Sequence, residues 1–238
     1  MSRDRVYADS KPDLVDFQFD EEVARVFPDM IRRSVPGYDN IIAVTGLIAR
    51  AYAQENTRIY DLGSSLGASM ASILRTEDLP EVEYVCVDYS GDMLARCREN
   101  LGALYPQAPI EFLEADVTEF APDNASVIVL NFVLQFLDPE RRDEIIQRLA
   151  AGLVTGGVII LSEKVERAGT VQDSIHLEFK RANGYSDLEI SQKRSALEKV
   201  MILDTVEAHI SRLQTAGLKD CQQWFQCLGF RSFVAFKP

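Results

Sequence analysis

The sequence lacks long apolar runs and carries too few basic residues to balance its acids. No stretch approaches the roughly 18 consecutive apolar residues that a membrane span needs. Residues 1–12 are polar and carry charges of both signs, without the apolar core of a secretion signal. Lys and Arg number 25 against 37 Asp and Glu, giving a formal net charge of −12. This charge disfavours nucleic acid and anionic membranes as direct partners, so a small-molecule partner is favoured.

Cysteine and histidine are also scarce, with four and two copies. The cysteines are Cys86, Cys97, Cys221 and Cys227. Their spacing is not that of metal ligands, which predicts reduced, packed thiols in a cytoplasmic protein without a bound metal. The histidines, His176 and His209, do not follow a predicted core strand, so neither is assigned as a general base.

The order of apolar patterns predicts one α/β domain over residues 1–238. Residues 1–18 show little periodicity and are expected to be mobile. Helices are predicted over 22–33 and from Asn40 onward, with Tyr38 in the loop between them. Five apolar strands then alternate with helices, beginning at Ile59, at 83–88, at 110–114, at 125–130 and at 158–161. This alternation predicts a doubly wound, mostly parallel sheet with right-handed crossovers.

The last third of the chain departs from this alternation. Residues 165–203 are largely polar, with helices predicted over 171–181 and 188–201, and we expect a helical insertion that serves as a lid or dimer contact. A helix over 205–216 and strands at 221–228 and 232–236 follow. They predict a terminal antiparallel hairpin that completes a seven-stranded sheet.

A glycine loop, Asp61-Leu-Gly-Ser-Ser-Leu-Gly67, joins the first strand to a helix. A strand, a glycine loop and a helix in this order are typical of a nucleotide-binding βαβ unit. Gly63 allows close approach of a ligand, and the loop amides can donate hydrogen bonds. The spacing G-x-x-x-G is not that of dinucleotide sites, which favours a smaller ligand. Asp61 suits an amino-acid amino group, although a tight turn without a ligand would give the same pattern.

Polar side chains follow the next three strands. Asp88 ends the second strand, Asp116-Val117 follows the third, and Asn131 ends the fourth. Each acid alone is also typical of a solvated strand end. Because the carboxyl ends of parallel strands meet at one edge of the sheet, we expect these groups around one ligand.

Together these features resemble the class I S-adenosylmethionine-dependent methyltransferase-like fold, which is Rossmann-like. The resemblance implies that the glycine loop, including Ser64 and Ser65, holds the methionine part, and that Asp88 and the adjoining Tyr89 lie at the ribose. A carboxylate there can accept hydrogen bonds from both ribose hydroxyls. By the same resemblance, we expect Asp116 and Val117 to contact the adenine and Asn131 to face the reactive carbon.

Longer segments narrow the resemblance. They are residues 26–38, 129–137, 161–164, 179–185 and 189–195, with the run Trp224-Phe-Gln-Cys227. From about Phe19 to the C-terminus the chain resembles the carboxy-S-adenosyl-L-methionine synthase family. The resemblance implies a transferase that converts S-adenosyl-L-methionine and prephenate into carboxy-S-adenosyl-L-methionine and phenylpyruvate. It also implies a homodimer, whose product supplies a tRNA carboxymethyltransferase that modifies wobble uridine to uridine 5-oxyacetic acid.

The resemblance assigns two more residues. Tyr38 is expected to lie over the ligand, and Arg194, the best candidate for a catalytic role, to bind the transferred carboxylate from its own or the neighbouring subunit. A guanidinium matches a carboxylate with two parallel donors. Three readings stay open: the synthase, an ordinary small-molecule methyltransferase, and a non-catalytic module that binds S-adenosylmethionine.

Overall fold

The computed structural model describes residues 2–10, 15–75, 79–166 and 170–238. The helices are α1 (Glu21–Ser34), α2 (Tyr38–Tyr52), α3 (Ala68–Leu74), α4 (Gly91–Leu104), α5 (Arg142–Ala151), α6 (Thr170–Ala182), α7 (Asp187–Leu197) and α8 (Val206–Thr215). The strands are β1 (Thr57–Leu62), β2 (Val82–Asp88), β3 (Ile110–Glu114), β4 (Ala125–Asn131), β5 (Leu153–Lys164), β6 (Lys219–Cys227) and β7 (Phe230–Phe236). No helix in these ranges has the length and apolar character required to cross a bilayer.

The strands form one seven-stranded sheet in the order β3-β2-β1-β4-β5-β7-β6. The first five are parallel, and β7 is antiparallel to both β5 and β6. Residues 127–130 of β4 are fully buried because helices cover both faces of the sheet. One face packs on α5 and α8, and the other on α2, α3 and α4. The predicted doubly wound sheet and terminal hairpin are confirmed.

Two local predictions are wrong. Helix α2 begins at Tyr38, so this residue is not in a loop. Gly37 precedes it at φ +79°, a left-handed conformation that turns the chain and starts the helix two residues before Asn40. The fifth strand is also longer than predicted, because Gly156 and Gly157 lie inside β5 rather than before it.

The N-terminal segment packs on the domain. Val6, Tyr7 and Phe17 are buried with α1, and Asp4 is 2% exposed. The Asp4 carboxylate accepts hydrogen bonds from the Val6 amide at 3.1 Å and the Tyr185 hydroxyl at 2.5 Å. The prediction that residues 1–18 are mobile is therefore wrong for Asp4, Val6, Tyr7 and Phe17, because these residues are buried and Asp4 is hydrogen-bonded. The part of that prediction covering residues 1 and 11–14 lies outside the described residues.

Candidate functional site

A cavity of about 260 Å³ lies at the carboxyl ends of the parallel strands. Its floor is formed by the segments that follow β1 to β5, and its walls include residues of α1, α6 and α7. Nine residues predicted for the site line it: Tyr38, Gly63, Ser64, Ser65, Asp88, Tyr89, Asp116, Val117 and Asn131. Asp61 and Arg194 are not among the lining residues.

The glycine loop is held by its own backbone. The amides of Gly63 and Ser64 donate to the Val87 carbonyl at 2.8 and 2.9 Å, and the Gly67 amide donates to the Ser64 carbonyl at 2.8 Å. Gly63 has φ +68°, a conformation that favours glycine. These hydrogen bonds hold the loop against β2. The amides of Gly63, Ser64 and Gly67 are therefore already paired within the protein and are not available to donate to a ligand, contrary to the expectation for the loop amides.

Asp88 links β2 to the glycine loop. One carboxylate oxygen accepts a hydrogen bond from the Ser65 amide at 2.8 Å, and the other accepts one from the Ser90 amide at 2.9 Å. Burial raises the pKa of Asp88, and these amides oppose the rise by stabilising the charged form. The Tyr89 backbone amide also contributes a hydrogen bond to this carboxylate. Because a carboxylate has about four acceptor positions, Asp88 retains the capacity to accept a ligand hydroxyl.

Asp61 lies beneath the loop rather than in the cavity. It is 2% exposed and accepts a hydrogen bond from the Met70 amide, in the first turn of α3, at 3.3 Å. Burial raises the pKa of Asp61 to about 7, and the nearby Asp88 charge acts in the same direction. In this structure the Asp61 carboxylate accepts a hydrogen bond from one of the backbone amides that have no partner within the first turn of α3. Asp61 does not occupy the position expected for binding an amino group.

Asn131 lines the cavity and carries a buried acceptor that has no partner among the described residues. Its amide nitrogen donates to the Ser69 hydroxyl at 3.0 Å and to the Thr45 hydroxyl at 3.4 Å. Its carbonyl oxygen is buried and has no hydrogen-bond partner among the described residues. A buried acceptor without a partner is costly, so this atom fits a ligand that brings a donor.

Aromatic rings form much of the remaining wall. Tyr38 is buried, and its ring centroid lies 6.3 Å from that of Phe132, which itself lies 6.1 Å from that of Phe230. Burial raises the pKa of Tyr38, so its hydroxyl stays protonated at neutral pH. His176 also lines the cavity, and one of its ring nitrogens lies 2.8 Å from the Ser34 carbonyl oxygen. This histidine was left unassigned because it follows no strand, whereas α6 brings it to the site.

Three lysines were missed by the sequence reasoning. Lys164, Lys180 and Lys193 line the cavity from β5, α6 and α7. All three lie in segments that carry the family resemblance, which was the available signal. Arg194, the next residue after Lys193, is exposed on α7 and is not among the residues that line this cavity. Within one chain, α7 therefore presents an ammonium group, not the predicted guanidinium, to the site.

The fold and the strand-end site define a class I methyltransferase-like protein. A model described as "Methyltransferase domain" matches residues 60–159. Two solved structures are similar in fold at 14–18% identity. An O-methyltransferase family protein from Burkholderia thailandensis has a TM-score of 0.64, with 92% of this chain and 60% of that chain covered. Human N-acetylserotonin methyltransferase in complex with SAM has a TM-score of 0.61, with 91% of this chain and 55% of that chain covered.

Curated relatives identify the family within this class. The chain is 52% identical to a carboxy-S-adenosyl-L-methionine synthase of Trichlorobacter lovleyi, with 98% of each chain covered. It is 50% identical to the synthase of Aeromonas salmonicida and 48% identical to that of Pectobacterium atrosepticum, with 99% of this chain and 97% of each relative covered. The protein belongs to the carboxy-S-adenosyl-L-methionine synthase family. The family and the transferase class predicted from the sequence are thus confirmed.

Proposed function

We propose that the protein converts S-adenosyl-L-methionine and prephenate into carboxy-S-adenosyl-L-methionine and phenylpyruvate. The observation that carries this proposal is the identity of about one half to curated synthases over nearly the whole of both chains. The cavity adds support, because it combines acids at the ends of two strands with a group of lysines at its other side.

The nucleoside is assigned to the β1–β3 side of the cavity. Asp88 accepts hydrogen bonds from the ribose hydroxyls, with Tyr89 beside it, and Asp116 and Val117 contact the adenine. The methionine part lies along the loop of Gly63, Ser64 and Ser65. Support comes from Asp88, whose carboxylate has about four acceptor positions and uses three of them for backbone amides, and from the position of all these residues around one cavity.

The reacting methyl group is assigned to the end of β4, near Asn131 and Tyr38. In the proposed reaction prephenate loses carbon dioxide and its hydroxyl group, leaving phenylpyruvate. The departing hydroxide takes a proton from the sulfonium methyl group and becomes water, and the resulting carbanion captures the carbon dioxide. The substrate thus supplies its own base, and the buried aromatic wall excludes competing water.

Arg194 is assigned to the new carboxylate, in the site of a neighbouring copy. The single-chain structure supports this arrangement because Arg194 is exposed on α7 and does not line the cavity of its own chain. The proposal therefore includes a homodimer, with the helices α6 and α7 serving as lid and dimer contact. It also includes cytoplasmic placement, which fits four unpaired thiols, and a product that supplies a tRNA carboxymethyltransferase.

The test is incubation of the protein with S-adenosylmethionine and prephenate, followed by mass spectrometry. We expect phenylpyruvate and carboxy-S-adenosylmethionine in equal amounts. Methylation of another acceptor while prephenate stays intact would instead support the ordinary methyltransferase. That alternative is tested because the fold is similar to that of an O-methyltransferase family protein. Binding of S-adenosylmethionine without any turnover would support the non-catalytic module.

A further inference from the structure

Opposite charges occupy opposite ends of the cavity. Asp88 and Asp116 follow β2 and β3 at one side of the sheet, whereas Lys164 ends β5. In the strand order β2-β1-β4-β5, three steps separate β2 from β5. At a spacing of about 4.8 Å between strands, the two ends lie about 14 Å apart. The end of β4, where Asn131 lines the cavity, falls between them.

The lysine end is sheltered and crowded with like charge. Lys193 is 8% exposed, and burial lowers its pKa to about 7. Burial likewise lowers the pKa of Lys180 to about 8, with further lowering by the positive charges of Lys164 and Arg194. Grouping ammonium groups away from water costs free energy, and a bound anion would offset that cost.

Internal carboxylates do little to neutralise Lys180 and Lys193 within the described residues. Lys193 has an ion pair with Asp4, but the distance is 4.0 Å, and the Asp4 carboxylate already accepts hydrogen bonds from Tyr185 and Val6. The shorter contact of the Lys193 ammonium is to the Ser34 hydroxyl at 3.1 Å. Within the described ranges, Lys180 has no carboxylate at ion-pair distance.

The surface between the lysines and Asn131 is apolar and aromatic. Phe132 follows Asn131 directly, and the Phe230 ring lies 5.3 Å from the His176 ring in an edge-to-face arrangement. Such a wall suits a flat carbon ring. The lysines beyond it suit carboxylates, because an ammonium group donates several hydrogen bonds to an anion.

We propose that Lys164, Lys180 and Lys193 bind the carboxylates of a small dicarboxylate second substrate at the end of the cavity opposite Asp88. This assignment rests on the proposed function, for which prephenate is that dicarboxylate. It places the acidic substrate next to the reacting methyl group at β4, with the nucleoside on the other side. None of the three lysines contacts the nucleoside in this arrangement, so the two substrates have separable binding determinants.

The experiment measures prephenate binding by calorimetry to protein saturated with S-adenosylhomocysteine, which lacks the reacting methyl group and so prevents turnover during the titration. Lys180→Met and Lys193→Met are each expected to weaken prephenate binding at least tenfold while changing S-adenosylmethionine binding less than twofold. Lys199→Met is the matched control, since the Lys199 side chain is 80% exposed. Lys180→Arg should retain most of the affinity for prephenate. Phenylpyruvate has only one carboxylate, so the Met substitutions should weaken its binding less than they weaken the binding of prephenate.

The outcomes separate this inference from the proposed reaction. Prephenate affinity within twofold of wild type in folded Lys180→Met would overturn the lysine site, as would a wild-type protein that does not bind prephenate. Thermal unfolding of each variant identifies a folding defect in Lys193→Met, in which case Lys180→Met decides. Lysine-dependent prephenate binding without phenylpyruvate formation would instead retain the site and reject the reaction.

Discussion

The Asp88 carboxylate accepts a hydrogen bond from the Ser65 amide at 2.8 Å, which joins the end of β2 to the glycine loop. Through this bond one acid both holds the loop in place and lines the cavity. The interaction explains why two features 25 positions apart in the sequence, Gly63 and Asp88, form one site. We therefore expect changes at Asp88 to affect the loop as well as the proposed ribose contact.

The first prediction concerns Asp88. Asp88→Ala should weaken S-adenosylmethionine binding by about 1–3 kcal/mol, because ribose hydroxyls lose an acceptor and the Ser65 amide loses its partner. Asp88→Asn should lose less, since it keeps one oxygen acceptor. Calorimetry measures both, with Asp92→Ala, an exposed acid on α4, as control. Wild-type affinity in Asp88→Ala would remove this residue from the site.

The second prediction concerns Gly63. A β-carbon at this position would lie 2.5 Å from Cγ2 of Val133, and the φ of +68° is unfavourable for alanine. Gly63→Ala should therefore lower the free energy of unfolding by about 1–2 kcal/mol from the left-handed conformation alone, with a further loss from the clash. It should also weaken S-adenosylmethionine binding by displacing Ser64 and Ser65.

A double variant separates the two causes. Val133→Ala together with Gly63→Ala removes the clash but not the backbone strain, so it should recover part of the stability. Gly102→Ala is the control, because a β-carbon at that position in α4 meets nothing within 4 Å. Equal unfolding midpoints for Gly63→Ala and wild type would contradict the role assigned to this glycine.

Much of the fold could be predicted because the burial of each strand and the alternation of strands and helices are visible in short stretches of the sequence. The apolar runs from Ile59 and at 125–130 have no solvated face, which only a sheet covered on both sides accommodates. The site residues at strand ends, such as Asp88 and Asn131, followed from the parallel topology. Turn geometry was less predictable, since Gly37 in a left-handed conformation moved the start of α2 to Tyr38.

The lysine end of the cavity could not be predicted from the sequence, because it is formed by tertiary packing and has no local sequence pattern. Lys180 and Lys193 lie on polar helices, where a charged residue ordinarily faces solvent. They face the cavity because α6 and α7 pack over the sheet's edge against α1 and the N-terminal segment, including Asp4. The sequence pattern alone could not decide which of Lys193 and Arg194 faces inward, since both lie on the same turn of α7.

The third prediction is a pH dependence of stability caused by Lys193. Its pKa falls from 10.5 to about 7 on folding, mainly through burial, with Lys180 and Arg33 lowering it and Asp4 and Asp29 opposing the fall. Between pH 7 and 10 the unfolded chain thus binds more protons at this residue, so its contribution to stability rises with pH. Lys193→Met should reduce that rise by about 1–3 kcal/mol.

Denaturant unfolding at pH 7 and pH 9.5 measures this effect as a difference between variants. The comparison with wild type cancels other groups that titrate in this range without interacting with Lys193, and Lys180, whose charge acts on Lys193, is the exception. Lys199→Met, which changes an exposed ammonium, should leave the wild-type pH dependence unchanged. Parallel pH profiles for wild type and Lys193→Met would show that Lys193 keeps an ordinary pKa in the folded protein.

The last prediction concerns Arg194 and its position relative to the site. If Arg194 pairs with the transferred carboxylate, Arg194→Ala should weaken binding of carboxy-S-adenosylmethionine by about 2–5 kcal/mol and that of S-adenosylmethionine much less. Arg194→Lys should recover only part of this loss, because an ammonium group cannot reproduce the planar fork. Competition binding with both ligands makes the measurement, and equal losses for both would assign Arg194 a structural role instead.

Mixing variants then decides which subunit supplies the residue. Arg194 is exposed on its own chain, so we expect it to act in a neighbouring site. Exchange of Arg194→Ala subunits with Asp88→Ala subunits should then create mixed dimers with one complete site, namely an intact Asp88 from one chain and Arg194 from the other. With random exchange in a two-fold dimer, about a quarter of all sites should regain carboxylate-dependent binding. If Arg194 instead acts within its own chain, each site in the mixture lacks one of the two residues, and no activity beyond that of the separate variants should return.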